Sequence, residues 1–229
     1  MSEDKLGIGV VGCGGFGLFA LQQFVQVPGV RLAGMAGTAR PAALAAAQRY
    51  GLEDVVDVER LLQLPAVDLV YISTPPFLHY EQSKLALEAG KHVICEKPRA
   101  LTAEQADELV ALARRQERLL VANLMQRYNP LYDIVGQVIE RQPLGDFLHG
   151  YFENYASDEN LPPEHWFWDH EKSGGIFVEH GVHFFDMLTG WLGAGAVDDA
   201  QESRRAERCE DQVQCTLRYT DGAHFKFYH

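Results

Sequence analysis

Gly12-Cys13-Gly14-Gly15-Phe16-Gly17 joins the apolar run Gly7-Ile8-Gly9-Val10-Val11 to an apolar-faced segment from Phe16 to Val27. Glycines spaced GxGxxG between a buried strand and a helix constrain the fold more than any other feature of the chain. In that setting Gly12 allows a tight turn, Gly14 gives phosphates room and Gly17 lets the helix pack close to the sheet. Gly15 and Phe16 complete the loop at the helix start, where unpaired N–H groups and a partial positive charge suit a pyrophosphate. A glycine-rich turn without a ligand is the plain alternative. The strand before the loop and the helix after it favour a dinucleotide site.

The same strand–helix alternation continues to residue 123. Val30 to Ala36, Asp68 to Ser73, His92 to Cys95 and Leu119 to Asn123 read as short apolar strands. Pro41 suits the first turn of one intervening helix and Gly51 its end. Phe77 to Ala89 is a second helix, and Thr102-Ala103-Glu104-Gln105 is a capping box opening a third, to about Gln116. Alternation of this kind predicts a doubly wound α/β Rossmann domain over residues 1–123, its parallel sheet covered on both faces. After Asn123 the texture changes. Tyr132 to Arg141 reads as a helix, Phe147 to Tyr155 alternates like a half-exposed strand, and Gly174 to Leu192 reads as an apolar helix. Gln212 to Tyr219 and Ala223 to Tyr228 are strand-like runs joined by the turn Thr220-Asp221-Gly222. Residues 124–229 are therefore expected to form an α+β domain with an open, largely antiparallel sheet.

Composition narrows the function classes. The net charge of −12 argues against a nucleic-acid partner, which needs clustered Lys and Arg; Arg204-Arg205 is too short to count. No apolar stretch is long enough to span a membrane, and the acidic start Met1-Ser2-Glu3-Asp4 is not a signal peptide. Cys13, Cys95, Cys209 and Cys215 lie far apart with no CxxC pair, which reads as reduced, mostly buried thiols in a cytoplasmic protein.

Two further sites carry chemistry. Lys97, in Glu96-Lys97-Pro98, follows the last residues of a parallel strand, where open α/β sheets bind their ligands. A surface lysine is the default for an arbitrary position. Held away from bulk water, Lys97 can hydrogen-bond a substrate hydroxyl and stabilise the alkoxide that forms as hydride leaves, with Glu96 orienting it. In Glu179-His180-Gly181-Val182-His183-Phe184-Phe185-Asp186, His183 stands one turn after Glu179 and one turn before Asp186, so all three can share a helix face. His183 then reads as the proton acceptor in alcohol oxidation, tuned by a carboxylate. A core histidine, the expected fate of His180, and a metal site on Glu179, His180 and His183 compete with that reading. The spacing is loose for a metal, and none is expected. Trp166 and Trp168 either pack the acidic loop around Phe167 or offer flat faces to a sugar ring.

The cofactor is legible at the end of the second strand, where an acidic residue would grip a ribose 2′-hydroxyl. This chain has Gly37-Thr38-Ala39-Arg40 instead. Gly37 makes room, Thr38 can donate to a phosphate oxygen and Arg40 can form a charge-assisted pair with it, which favours NADP, with NAD as the alternative. On the bland reading Thr38 only caps the helix entered at Pro41.

With these residues in place, the chain resembles the glucose–fructose oxidoreductase / inositol dehydrogenase / rhizopine-catabolism (Gfo/Idh/MocA) family. The resemblance runs through the glycine loop, Ser73-Thr74-Pro75-Pro76 with His79, and Ala89 to Pro98. It continues through Arg127-Tyr128-Asn129-Pro130, Ser173-Gly174-Gly175 and Glu179-x-Gly181-x-His183. It implies a nicotinamide cofactor and oxidation or reduction of a secondary alcohol or carbonyl on a sugar, cyclitol or related polyol. By the same resemblance Lys97, His183 and Glu179 take the catalytic positions, and Thr74, Pro75, His79 and Glu96 lie along the cofactor. Arg127, Tyr128, Trp166 and Trp168 fall to the substrate side, and a homo-oligomer through the C-terminal sheet is implied.

The chain departs from the family pattern in carrying Glu179 where Asp is usual and Pro76 where Asn is frequent. The sequence also stops at Phe227-Tyr228-His229, inside a strand-like run. Family members continue further, so a truncated sheet or one completed by another chain is expected. A non-catalytic dinucleotide-binding protein, a redox sensor or defunct paralogue, is the rival reading from a different class; a metal-dependent hydrolase is remote.

Overall fold

The computed structural model describes residues 5–38, 41–52, 54–155, 161–204 and 210–229. The chain forms two compact units, Met1–Asn123 and Leu124–His229.

In the first unit five strands form one sheet: β1 (Leu6–Val11), β2 (Val30–Ala36), β3 (Leu69–Ile72), β4 (His92–Cys95) and β5 (Leu120–Ala122). All pair in parallel, in the order β2-β1-β3-β4-β5. Among the described residues the α-helices between them are α1 (Gly15–Phe24), α2 (Pro41–Arg49), α3 (Val58–Gln63), α4 (His79–Glu88) and α5 (Ala103–Arg115). Side chains alternate across a strand, and β1 shows what that does. Ile8 and Val10 pack with Ala20 and Leu21 of α1 and Ala43 and Ala47 of α2. Val11 faces the opposite layer, with Leu61 of α3, Leu87 of α4 and Leu109 of α5. The result is a doubly wound sheet with a core on each face, and apolar strands are what such a sheet requires. Thr102 caps α5 by accepting the Gln105 N–H at 3.2 Å, and Gln105 Oε1 takes the Leu101 N–H at 3.3 Å, one residue earlier than a reciprocal box would.

The second unit opens with α6 (Pro130–Arg141), where Asn129 Oδ1 accepts the Leu131 N–H at 3.0 Å and Pro130 occupies the first turn. After β6 (His149–Glu153) come α7 (His170–Ser173), a π-helical turn over Phe177–Gly181, and α8 (Val182–Leu192). The strands β7 (Ala196–Ser203), β8 (Gln212–Arg218) and β9 (His224–Tyr228) follow. Leu188 of α8 packs on Cys215 and Phe227, with Phe152, Phe184, Phe185 and Trp191 around them.

Three details differ from the sequence reading. β7 is an unforeseen strand: every residue in it is exposed, so it has no apolar alternation, and its pairing with β8 alone keeps it extended. The sheet is mixed, because β6 runs parallel to β9 while the β7–β8 and β8–β9 pairs are antiparallel. The run ending near Tyr228, expected as an unfinished edge, is central: the order is β6-β9-β8-β7, so β6 and β7 are the edges. Cys13, Cys95 and Cys215 are buried free thiols, and Cys209 lies outside the described residues. Among the described residues no helix is long and apolar enough to cross a membrane.

Candidate functional site

In a doubly wound sheet, ligands meet the chain where the carboxyl ends of the strands face a reversal of strand order. That reversal lies between β1 and β3, and here the two strand ends touch backbone to backbone. A Cβ on Gly12, which has φ +98°, would stand 2.7 Å from the Ser73 carbonyl. A Cβ on Gly17 would stand 1.9 Å from the Gly12 oxygen and 2.6 Å from Ser73 Oγ. These two glycines serve the fold. Gly14 and Gly15 are exposed, and a Cβ on either would meet no atom of the described residues within 4 Å. Packing does not explain their missing side chains. The Leu18 N–H donates to the Gly14 carbonyl at 3.0 Å, so the amides of Gly15, Phe16 and Gly17 precede the first intrahelical bond of α1. Gly14 gives this helix start no side-chain cap. An open patch of unspent amides at a helix N-terminus fits a dinucleotide pyrophosphate.

β2 ends at Ala36, and Gly37 follows at φ +147°, its N–H donating to the Val56 carbonyl at 3.1 Å. Gly37 and Thr38 are both exposed; Arg40, assigned to a 2′-phosphate, lies outside the described residues.

Beyond β3, Pro75 leads into a single 3-10 turn, and Thr74 Oγ1 donates to Gln82 Oε1 at 2.6 Å. His79, expected along the cofactor, is only 1% exposed. Its Nε2 lies 2.7 Å from the Thr74 carbonyl and its Nδ1 2.7 Å from that of Pro98, so it ties the turn after β3 to the turn after β4. Burial lowers its pKa, while the two carbonyls pull the other way. The Lys97–Pro98 peptide is cis. Beside it, Glu96 Oε1 accepts from the Tyr71 hydroxyl and from Asn123 Nδ2, the latter at 2.6 Å. Burial, and then the bond to Glu96, raises the Tyr71 pKa. Tyr71 and Asn123 went unnoticed in the sequence, although a hydroxyl in the otherwise apolar run Leu69-Val70-Tyr71-Ile72 is a visible signal. Lys97 itself is half-buried.

In the second unit the structure divides the third motif. Glu179 and His180 belong to the π-helical turn Phe177–Gly181, whereas His183 and Asp186 belong to α8. Glu179 thus starts from a wider turn than the α-helix that carries His183 and Asp186. π-turns are rare and concentrate at functional sites. Glu179 is buried, 9% exposed. Asp186 is committed elsewhere: Arg127 Nε donates to its Oδ2 at 2.6 Å and Nη2 to its Oδ1 at 2.7 Å, with a further bond to its carbonyl at 2.9 Å. Arg127, assigned to substrate, thus braces α8 through Asp186. Tyr128 is 80% exposed. Trp166 and Trp168 flank Phe167 in a 3-10 turn, with edge contacts at 6.1 and 5.0 Å. Trp168 Nε1 donates to the Pro162 carbonyl at 3.1 Å, which packs the loop against itself. His180 Nδ1 lies 2.8 Å from His229 Nε2, and Asn154 Nδ2 donates to that same nitrogen at 2.9 Å. Among the described residues no group of three His, Cys, Asp or Glu is placed to hold a metal ion.

A parallel five-stranded sheet with an open amide patch at its reversal point defines a dinucleotide-binding Rossmann protein. Comparison with known proteins makes this specific. Residues 6–124 match the oxidoreductase family with an NAD-binding Rossmann fold, and residues 132–228 match the Gfo/Idh/MocA C-terminal domain. The chain belongs to the Gfo/Idh/MocA oxidoreductase family. It is similar to dTDP-3,4-didehydro-2,6-dideoxy-alpha-D-glucose 3-reductase of Saccharopolyspora spinosa, 32% identical over 204 residues, covering 86% of this chain and 60% of that protein. It is also similar to 1,5-anhydro-D-fructose reductase of Ensifer adhaerens, 31% identical over 212 residues, covering 89% and 63%. This chain therefore spans less than two thirds of either relative. Among solved structures, the WlbA dehydrogenase from Bordetella pertussis, in complex with NADH and UDP-GlcNAcA, superposes with a TM-score of 0.87 at 25% identity, over 98% of this chain and 71% of that one.

Proposed function

We propose that the chain acts as a nicotinamide-dependent oxidoreductase on a secondary alcohol or the matching carbonyl of a sugar, cyclitol or related polyol. The observation that carries this reading is the start of α1, where Gly14 and Gly15, which packing does not require, leave unspent amides open to a pyrophosphate. The bound nicotinamide supplies or takes up hydride. Lys97 donates a hydrogen bond to the substrate oxygen and stabilises its negative charge, a role worth several kcal/mol, about 3, when such donors are preorganised. His183 carries the proton to or from that oxygen, and Glu179 tunes it. Thr74, Pro75 and Glu96 line the cofactor, His79 acting by holding their turns. Arg127, through α8, Tyr128, Trp166 and Trp168 belong to the substrate side. Residues 1–123 form the cofactor domain and residues 124–229 the substrate and oligomerisation domain. The reductases of keto-sugars among the relatives support the substrate class.

NADP is the favoured cofactor, since no carboxylate follows β2 and Gly37, Thr38 and Arg40 supply space, a hydroxyl and a guanidinium. One set of titrations tests both statements. NADP is expected to bind more tightly than NAD, with Arg40→Ala weakening NADP alone. Lys97→Ala is expected to keep NADP affinity within about twofold while turnover of keto-sugars falls at least about a hundredfold. Tighter NAD binding would reverse the cofactor assignment, and full turnover in Lys97→Ala would sink the mechanism.

A further inference from the structure

One buried carboxylate outside the proposed machinery acts on the π-helical turn from a distance. Glu210 is 5% exposed and lies 34 residues from its backbone partner. Its Oε1 accepts the Ile176 N–H at 2.8 Å, and its Oε2 lies 3.2 Å from His170 Nδ1. The N–H of Ile176 and the carbonyl of Gly175 are the two ends of one planar peptide group. That carbonyl accepts the Glu179 N–H at 2.9 Å. A charge-assisted bond at one end of a peptide polarises it and strengthens the bond at the other. The carboxylate also stands where a helix start favours negative charge. Gly175 is shaped around this contact: it has φ +84°, its N–H donates to Ser173 Oγ at 3.2 Å, and a Cβ on it would fall 2.0 Å from Glu210 Oε1.

We propose that Glu210 is a positioning residue for Glu179 and His183: by holding the Gly175–Ile176 peptide it fixes the backbone of Glu179 and the start of the π-turn that sets the angle between the two side chains. The catalytic meaning of that angle rests on the function proposed above; the anchoring itself does not.

The test therefore needs a readout independent of turnover. In the full chain, Glu210→Ala is expected to raise amide exchange at Ile176 and Glu179 by about tenfold or more, with Leu109 and Leu112 of α5 unchanged. The NMR titration midpoint of His183 is expected to move in the same variant. Glu210→Gln, which keeps an acceptor oxygen, is expected to restore both to within about threefold. Should the alanine variant not fold, Glu210→Asp withdraws the carboxylate by one methylene and is expected to shift both readouts in the same direction, less strongly. With NADPH and 1,5-anhydro-D-fructose as probe, kcat is expected to fall in Glu210→Ala while the KM for NADPH stays put. Unchanged exchange at Glu179 together with an unmoved His183 titration would overturn the proposal, as would equal losses in the alanine and glutamine variants. An unaltered chain that does not turn over the probe would count against the proposed function, leaving exchange and titration to decide the role of Glu210.

Discussion

His229 meets His180 ring to ring, with centroids 4.7 Å apart. Burial, and then the neighbouring His180, lowers its pKa from the ordinary 6.5 to about 4, against a smaller upward pull from Glu179. A histidine held this way takes up a proton less readily folded than unfolded. Its contribution to stability is intact above about pH 6.5 and is lost as pH falls toward about 4. The denaturant midpoint of the second unit is expected to decline across that window, and His229→Gln should flatten the decline. An equal slope in both proteins would show that other groups carry it. Identity and place were legible for such residues, but bonding was not. His79 could be located from Ser73-Thr74-Pro75-Pro76, yet its use as a clamp depends on a carbonyl 19 residues away. The pairing of Asp186 with Arg127 joins residues 59 apart, which no local pattern shows.

Elements were legible where local chemistry is decisive. The glycine loop and the Thr102 cap are written in consecutive residues, and both form. The π-turn was hidden, because Glu179 and His183 have the same sequence separation in an α-helix as in a wider turn. β7 was hidden because exposed residues carry no periodic signal. The loop also yields a prediction, since its glycines divide by purpose. Gly17→Ala would drive a methyl group into the Gly12 carbonyl and is expected to cost about 3 kcal/mol or more. Gly14 has φ −80° and open space around it, so Gly14→Ala is expected to leave thermal stability within about 0.5 kcal/mol while weakening NADP binding. Calorimetry and cofactor titration on the two variants check this. Equal destabilisation would mean that Gly14 also serves the fold.

At the scale of the molecule, the second sheet bears an outward concavity of about 560 Å³ between Tyr151 and Glu153 on β6, Thr216 on β8, and His224, Lys226 and Tyr228 on β9. Tyr151 and Tyr155 are each more than 70% exposed. Exposed tyrosines are enriched on surfaces that meet a partner. Association of copies through this face is expected to give a dimer or larger species in light scattering, loosened by Tyr151→Asp. A stable monomer at high concentration would refute it.

β9 lies between β6 and β8, and among the described residues β6 has no other neighbour in the sheet. Joining His149 to His224 closes a loop of about seventy-five residues, a chain-entropy cost met before any local reward. During synthesis from the amino end, the first unit has all its strands long before the second can assemble its sheet. β6, preceded by the exposed Leu144 and Leu148, is made well before its partner β9. That interval, rather than the finished structure, is when the polypeptide is most open to mispairing and to capture by chaperones.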